Sequence, residues 1–264
     1  MIRLAHIHVF PFKSFGRLDV DHAQLLPSGA LEHDRQFAVF DSAGRPINGK
    51  RNPRIHRLRL TYDTRSKIAT VGQGECDDLR RYDVDRDRAG IEDWLSRFFE
   101  QQVNIRENSE TGFPDDLDSP GPTLVSTATL EVVASWFTTL SVEDVRRRFR
   151  ANLEIDGVEA FWEDRLFSTS DHVVRFRIGD VPFHGVSPCS RCVVPTRCPE
   201  TGEQDEHFAQ TFMSKRTESL PDWAERSRFD HFYRLCVNTR LARTTEPRQL
   251  RTGDVVSVVR TEEL

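Results

Sequence analysis

A strand-rich α+β fold, built either as a pair of barrels or as a barrel beside a mixed lobe, is what this sequence predicts. Three observations carry the prediction: short alternating apolar and polar runs over the first hundred residues, a hairpin pattern across residues 172–184, and only a few segments with helical spacing. With 264 residues the chain can bury a substantial core, and two lobes sharing a cleft are expected.

Residues 2–10, 36–41 and 55–61 read as strands, with Gly29, Gly44 and Pro46 as punctuation between them. Residues 91–99 place apolar groups at i, i+3, i+4, i+7 and i+8, with Glu92 and Asp93 at the favourable end of the dipole, and predict an amphipathic helix. Residues 108–122 are polar, acidic and rich in Gly and Pro, with Phe113 and Leu117 as their only large apolar groups, so the domain boundary is expected there. Residues 127–137 then read as a helix. Ser141, followed by Glu143 and Asp144, resembles a capped helix start leading into Arg146-Arg147-Arg148-Phe149-Arg150. Residues 172–178 and 181–184, on either side of Gly179-Asp180, predict a hairpin that delivers the chain to a group of cysteines. Residues 208–212 and 223–232 look helical, and residues 253–259 look like a closing strand. No internal repeat and no long low-complexity segment interrupts this order.

Composition narrows the function classes. A net charge of -5, from 37 Lys and Arg against 42 Asp and Glu, gives no global positive field to gather nucleic acid or an anionic membrane, so any anion must be bound locally. The basic stretches Lys50-Arg51-Asn52-Pro53-Arg54 and 146–150 are the local options, and the plain reading of each is a solvated face. With charged residues at 30%, a mean hydropathy of -0.55 and no apolar run near the roughly 18 residues of a membrane span, no membrane insertion is expected. The first residues alternate like a strand and lack a signal peptide's apolar run, so a cytoplasmic location is expected.

Five cysteines in such a chain predict reduced thiols rather than a disulfide framework. Cys76 and Cys236 stand apart and are expected to act as small apolar side chains. Cys189, Cys192 and Cys198 fall within residues 187–202, which combine soft ligands, fixed positive charge and rigid turns. A thiolate is the metal-binding form, and neighbouring Arg191 and Arg197 are expected to lower the Cys192 pKa. Cys189 and Cys192 also have the spacing of half a zinc site, with Cys198 and His184 or His207 nearby, but a second paired motif is missing. The four-cysteine runs of iron–sulfur proteins are missing too. Three ordinary reduced cysteines in a loop remain the plain alternative.

Cys189-Ser190-Arg191-Cys192, followed by Pro199-Glu200-Thr201-Gly202, resembles the signature of the MOSC domain. Phe10-Pro11-Phe12-Lys13-Ser14 resembles the Tyr-Pro-Val-Lys-Ser motif of the amidoxime-reducing group within that family. Leu31-Glu32-His33-Asp34-Arg35 is similar to its Asp-Arg segment, and Phe149-Arg150-Ala151-Asn152 to its Phe-Arg-Pro-Asn motif. Glu163-Asp164 and Gly253-Asp254-Val255 follow in the family's order, so the resemblance spans almost the whole chain.

The resemblance implies an N-terminal β-barrel-like domain over residues 1–115 and a MOSC β-barrel domain with peripheral helices over residues 116–264. It implies a molybdenum–molybdopterin cofactor, not pyridoxal phosphate, with Cys192 as metal ligand and catalytic residue and Cys189 uncoordinated. Lys13, Ser14, Arg35, Arg150, Asn152, Ser190 and Arg191 would hold the pterin and its phosphate, a task suited to Arg forks and a Lys point charge. Ser119 would be a further contact. The implied activity is reduction of N-hydroxylated small molecules such as amidoximes and hydroxylamines, with electrons from a separate electron-transfer protein. Glu163 or Asp164 would relay protons or be structural carboxylates. Ala151, Leu166, Pro195 and Cys198 depart from the family pattern and bear on the substrate pocket. The competing readings are a non-enzymatic carrier of the cofactor or of sulfur, and a zinc-stabilised binding module.

Overall fold

The computed structural model describes residues 1–74, 78–243 and 248–263; Cys76 lies outside them. The chain opens with strands β1 (Arg3–Val9), β2 (Leu18–Val20), β3 (His22–Gln24) and β4 (Phe37–Asp41). A meander of β5 (Leu58–Asp63), β6 (Ile68–Gln73) and β7 (Arg80–Asp83) leads to helix α1 (Arg88–Phe99) and strand β8 (Val103–Glu107). Next come β9 (Leu124–Ser126), α2 (Thr127–Ser135), α3 (Val142–Phe149), β10 (Leu153–Asp156), β11 (His172–Ile178) and β12 (Val181–Ser190). Helix α4 (Phe208–Glu218), β13 (Arg234–Leu241), β14 (Gln249–Arg251) and β15 (Val256–Glu263) complete the order.

One eight-stranded sheet, in the order β15-β11-β12-β13-β9-β10-β1-β2, dominates the molecule. Its ends approach each other: Arg3 bridges Val255, the Leu4 N–H donates to the Asp254 carbonyl at 2.8 Å, and the Val256 N–H donates to Ile2 at 3.0 Å. These bonds bring β15 back to β1 and give the sheet its barrel-like curl, which covers backbone that an open edge would leave unpaired. The expected hairpin is β11 and β12, in register from Val174 opposite Gly185 to Ile178 opposite Val181. Gly179 supplies the positive φ, +55°, that its two-residue turn requires.

Three apolar clusters fill the fold. Leu4, Ile7 and Val9 of β1 join Phe176, Phe183 and Val237 in the core of the large sheet. Phe12, Phe37, Val71, Ile91 and Val103 make a second cluster in the N-terminal half. Val125, Phe149, Phe208, Phe212, Tyr233 and Cys236 make a third, behind the cysteine loop. The first strand is therefore part of the same sheet as the cysteine-bearing hairpin, which fixes the N-terminal lysine and arginine motifs relative to that loop.

Local differences from the sequence expectation have physical causes. Helix α1 begins at Arg88, so Glu92 and Asp93 lie beyond its first turn; Glu92 instead accepts the Ile105 N–H at 2.7 Å and ties the helix to β8. Before β5 the chain makes a 3-10 turn, Pro53–Arg57, started by the Asn52 side chain and Pro53. Residues 223–232 form only a short 3-10 turn, Arg226–Arg228. Glu225 caps that turn by accepting the Ser227 N–H at 3.1 Å, while Trp223 stacks under Arg165 at 4.1 Å and Phe229 faces the buried Arg216. Ser141 caps α3 with a full capping box shared with Asp144.

Candidate functional site

The cysteine loop leaves the end of β12, which carries Cys189 and Ser190. The Arg191 N–H donates to the Tyr233 carbonyl at 3.0 Å, which extends the β12–β13 pairing by one step. Cys192 follows, half-buried, and its sulfur receives the Val194 N–H at 3.5 Å. Arg191 lies within the field of that sulfur, but the hydrogen bonds of the flanking arginines go elsewhere. Arg191 donates to the Cys189 sulfur at 3.2 Å and to the Phe149 carbonyl, while Arg197 donates to Gly202 at 3.1 Å. The two cysteines of the pair are thus distinguished: the Arg191 guanidinium hydrogen-bonds Cys189, whereas it reaches Cys192 through its charge. Ser190 pairs its hydroxyl with His231 at 3.2 Å. Burial opposes ionisation of Cys198, but the Thr201 hydroxyl and the N–H groups of Glu200 and Thr201 bring its pKa below the ordinary thiol value.

The N-terminal motifs supply a cationic wall. Ser14, Arg35 and Arg150 hold positive φ angles of 73°, 52° and 55°, conformations that residues with a Cβ adopt at a cost and that concentrate at functional sites. Arg150 lies 4.0 Å over the Phe10 ring and donates to the Phe15 carbonyl at 2.7 Å. Buried Asp34 accepts the Phe10 N–H at 2.9 Å, the Asn152 amide at 3.1 Å and Arg35 at 2.5 Å. Asn152 is 1% exposed; its second amide hydrogen goes to the His8 carbonyl at 3.1 Å and its oxygen faces Thr123. With both amide hydrogens engaged inside the protein, Asn152 positions Asp34, and through it Arg35. Lys13 donates to the carbonyls of Phe113 and Pro114 and pairs with Asp115 at 3.2 Å. Ser119 is buried, its N–H bonded to Asp116 at 3.2 Å.

Positive charge outweighs negative here. Burial, and then the field of Arg35 with a smaller effect from Arg191, lowers the Arg150 pKa against the pull of Asp34 and Asp115. Burial lowers Lys13 as well, opposed by Asp115 but reinforced by Arg35 and Lys50. Burial works against ionisation of Asp115, yet Lys13, Arg35 and Lys50 outweigh it and hold the carboxyl at about 2. Burial, then Arg197, Arg150 and Arg148, push His56 down to about 4.

Around the loop several buried polar atoms have no partner within the protein: Nε of Arg148, Arg191 and Arg197, Nε2 of His56 and the Tyr233 hydroxyl. Unpaired buried polar atoms carry a desolvation cost that calls for an explanation, and Nε and Nη1 of Arg216 and Nη1 of Arg17 share that condition elsewhere in the fold. Arg148, His56 and Tyr233 were not singled out from the sequence. The basic run that contains Arg148 is not a solvated face: Arg148 is buried and donates to the Pro195 carbonyl, and Arg146 grips buried Glu154 with two nitrogens. A clue lay in Val145 and Phe149, whose helical spacing turns Arg148 inward; His56 and Tyr233 carried no local signal. The Lys50–Arg54 stretch is largely exposed, with Arg54 paired to Glu100.

Behind the loop, the 3-10 turn Trp162–Leu166 buries Glu163 and Asp164. Asp164 pairs with Arg216, which is 1% exposed and stacked on Phe161. Glu163 has one oxygen bonded to Thr129 at 3.0 Å and the other unpaired. Burial, then the charge of Asp164, raises its pKa from 4.5 to about 7. A carboxyl raised on folding binds its proton more tightly in the native state, so the stability it contributes is present below about pH 4.5 and is lost as pH rises through about 7. Glu163→Gln should therefore flatten the fall in urea midpoint between pH 5 and pH 8, with a difference on the order of 3 kcal/mol. Parallel pH dependences of wild type and variant would show that Glu163 is not the titrating group.

Among the described residues no three His, Cys, Asp or Glu side chains converge on a metal position, so a structural zinc site lacks a donor set there. No helix is long and apolar enough to cross a membrane. A cavity of about 610 Å³ is lined by Asp19, His22, Glu32 and His33 among others and shares no lining residue with the cysteine loop.

Fold and site together define a strand-rich protein in which cationic side chains of the N-terminal motifs and of α3 lie near a thiol-bearing loop that follows a C-terminal hairpin. Residues 1–90 match the MOSC N-terminal beta barrel domain and residues 123–257 match the MOSC domain. The chain belongs to the MOSC domain family. It is 23% identical over 261 residues to the human molybdenum cofactor sulfurase, covering 81% of this chain and 28% of that protein. It is 28% identical over 228 residues to mitochondrial amidoxime-reducing component 1 of Danio rerio, covering 74% of this chain and 68% of the relative. With mitochondrial amidoxime reducing component 2 of Bos taurus the identity is 24% over 239 residues, covering 76% and 68%.

Proposed function

We propose that this chain binds a molybdenum–pterin cofactor through Cys192 and reduces N-hydroxylated small molecules with electrons from a separate protein. The observation that carries the reading is the cluster of Lys13, Arg35, Arg150 and Arg191, with unpaired buried polar atoms, beside a half-buried thiol that receives the Val194 N–H and lies within the field of Arg191. A pterin phosphate carries nearly two negative charges and fits that excess of cations. The soft sulfur of Cys192 fits a heavy metal ion better than Ser or Asp would. The residues therefore fit the group.

Lys13, Ser14, Arg35 and Arg150 would hold the phosphate and pterin, Asn152 and Asp34 would fix Arg35, and the Ser190–Arg191 turn would close over the sulfur. When bound, the cofactor supplies the two-electron chemistry that removes oxygen from an N–OH group. The chain's own part is to anchor, orient and shield. The names of the relatives support a role tied to the molybdenum cofactor, and among them the amidoxime-reducing components support reduction. A carrier that holds the cofactor or sulfur without turnover is the second reading, favoured by the likeness to the sulfurase.

The test is elemental and pterin analysis of the purified chain, followed by assay with reduced viologen and a panel of amidoximes and hydroxylamines. Stoichiometric molybdenum and pterin with conversion to amidine or amine is the expected result. Full molybdenum without turnover on any compound would favour the carrier, and stoichiometric zinc without pterin would overturn both readings.

A further inference from the structure

Tyr233 is 9% exposed, and its hydroxyl oxygen is sealed from solvent with no hydrogen-bond partner in the protein. The ring packs edge-on against Phe212, centroids 5.4 Å apart, in a cluster that also holds Phe149 and Phe208. A phenylalanine would fill that place equally well. An unsatisfied buried hydroxyl destabilises the fold, and buried tyrosines usually find a partner for it. The hydroxyl therefore stands at a cost that packing does not explain.

Its location supplies the reason. The Tyr233 carbonyl accepts the Arg191 N–H at 3.0 Å, and the neighbouring pair Ser190 and Arg234 is in register across β12 and β13, so the Tyr233 backbone is fixed beside the first residues of the cysteine loop, and Cys189 packs against the same apolar cluster as its ring. The charges that bear on its hydroxyl are those of Arg191, the Cys192 sulfur and Arg148. Burial, only partly opposed by Arg191, holds the phenol above its ordinary pKa, so at neutral pH it keeps its proton and can act as a donor.

We propose that the Tyr233 hydroxyl is a binding residue of the cofactor site, donating a hydrogen bond to the anionic group seated at Cys192. The inference rests on the proposed molybdenum–pterin reading and adds a residue to it. Arg148 Nε, on α3, is likewise buried without a partner, and Arg148 is among the charges that act on the Tyr233 hydroxyl.

The test uses the full chain, wild type and Tyr233→Phe, expressed with and without molybdate. Without molybdate, Y233F should unfold at the same temperature as wild type or higher, because only an unpaired hydroxyl is lost. With molybdate, Y233F should retain several-fold less molybdenum and pterin after dialysis and show a smaller cofactor-dependent rise in Tm. Equal retention and an equal rise in Tm would overturn the proposal. A lower Tm for Y233F without molybdate would also overturn it, since the hydroxyl would then be satisfied within the fold. If wild type itself takes up neither molybdenum nor pterin, the functional reading falls and this inference with it, an outcome distinct from a loaded wild type beside an equally loaded variant.

Discussion

Cys192→Ser should give a folded protein that retains no molybdenum and whose turnover of N-hydroxylated compounds falls by more than about 100-fold, beyond the range seen when only an outer partner of a metal ligand is lost. The fold has little stake in this sulfur. Cys192 is half-buried in the loop after β12, outside all three apolar clusters, and the bond it receives is the long one from the Val194 N–H at 3.5 Å. Exchange of sulfur for oxygen at such a place should change stability by no more than about 0.5 kcal/mol. The chemistry has everything at stake, because a serine hydroxyl stays protonated at neutral pH and is a hard donor where a soft thiolate is wanted. Cys189→Ser is the contrast. That sulfur packs against the third cluster and takes the Arg191 guanidinium at 3.2 Å, so its loss should lower Tm while molybdenum is retained. Elemental analysis of the three proteins side by side, with unfolding curves, separates the cases; C192S with wild-type molybdenum and turnover would refute the assignment of the ligand.

What the sequence reveals, and what it hides, follows from the range over which each signal acts. The hairpin of β11 and β12 was readable because Gly179-Asp180 and the alternation around it are local. The start of α3 was readable because Ser141 and Asp144 sit three residues apart, the spacing of a capping box. Lys13, Arg35 and Arg150 were legible through short motifs, and the structure brings them within one another's field. Their mutual support was not legible: the links from Asn152 to Asp34 to Arg35, and from Asp115 to Lys13 and Lys50, join residues far apart in sequence. Residues 223–232 misled for the same reason. Their spacing fits a helix, but Trp223 and Phe229 take partners, Arg165 and Arg216, from two other elements that the local sequence does not reveal. For Arg191 adjacency told only part: its charge does reach Cys192. It neighbours Cys192 in sequence, yet the strand ending at Ser190 turns its side chain toward Cys189.

Gly185→Ala should be the most destabilising single methyl in the chain, at about 3–5 kcal/mol, near the upper end of what one substitution costs. Gly185 lies inside β12, paired with Val174 on one side and Thr239 on the other, where sequence alone marks it only as a weak point in a strand. A Cβ there would lie 1.7 Å from the carbonyl oxygen of Leu166 and 2.8 Å from its carbon. These are backbone atoms, so no change of rotamer relieves the overlap; either the sheet or the 3-10 turn that buries Glu163 and Asp164 must move. Leu166 is fully buried, and the turn is tied by Asp164 to the buried Arg216, so neither side gives way cheaply. Gly90→Ala in α1 is the control. Its Cβ would meet only the exposed side chain of Asp87, which can rotate aside, and alanine should gain up to about 1 kcal/mol of helix propensity. Urea unfolding of the two variants against wild type should shift the midpoint down for G185A and leave it level or higher for G90A. A wild-type midpoint for G185A would mean that the turn and β12 are not in the contact described.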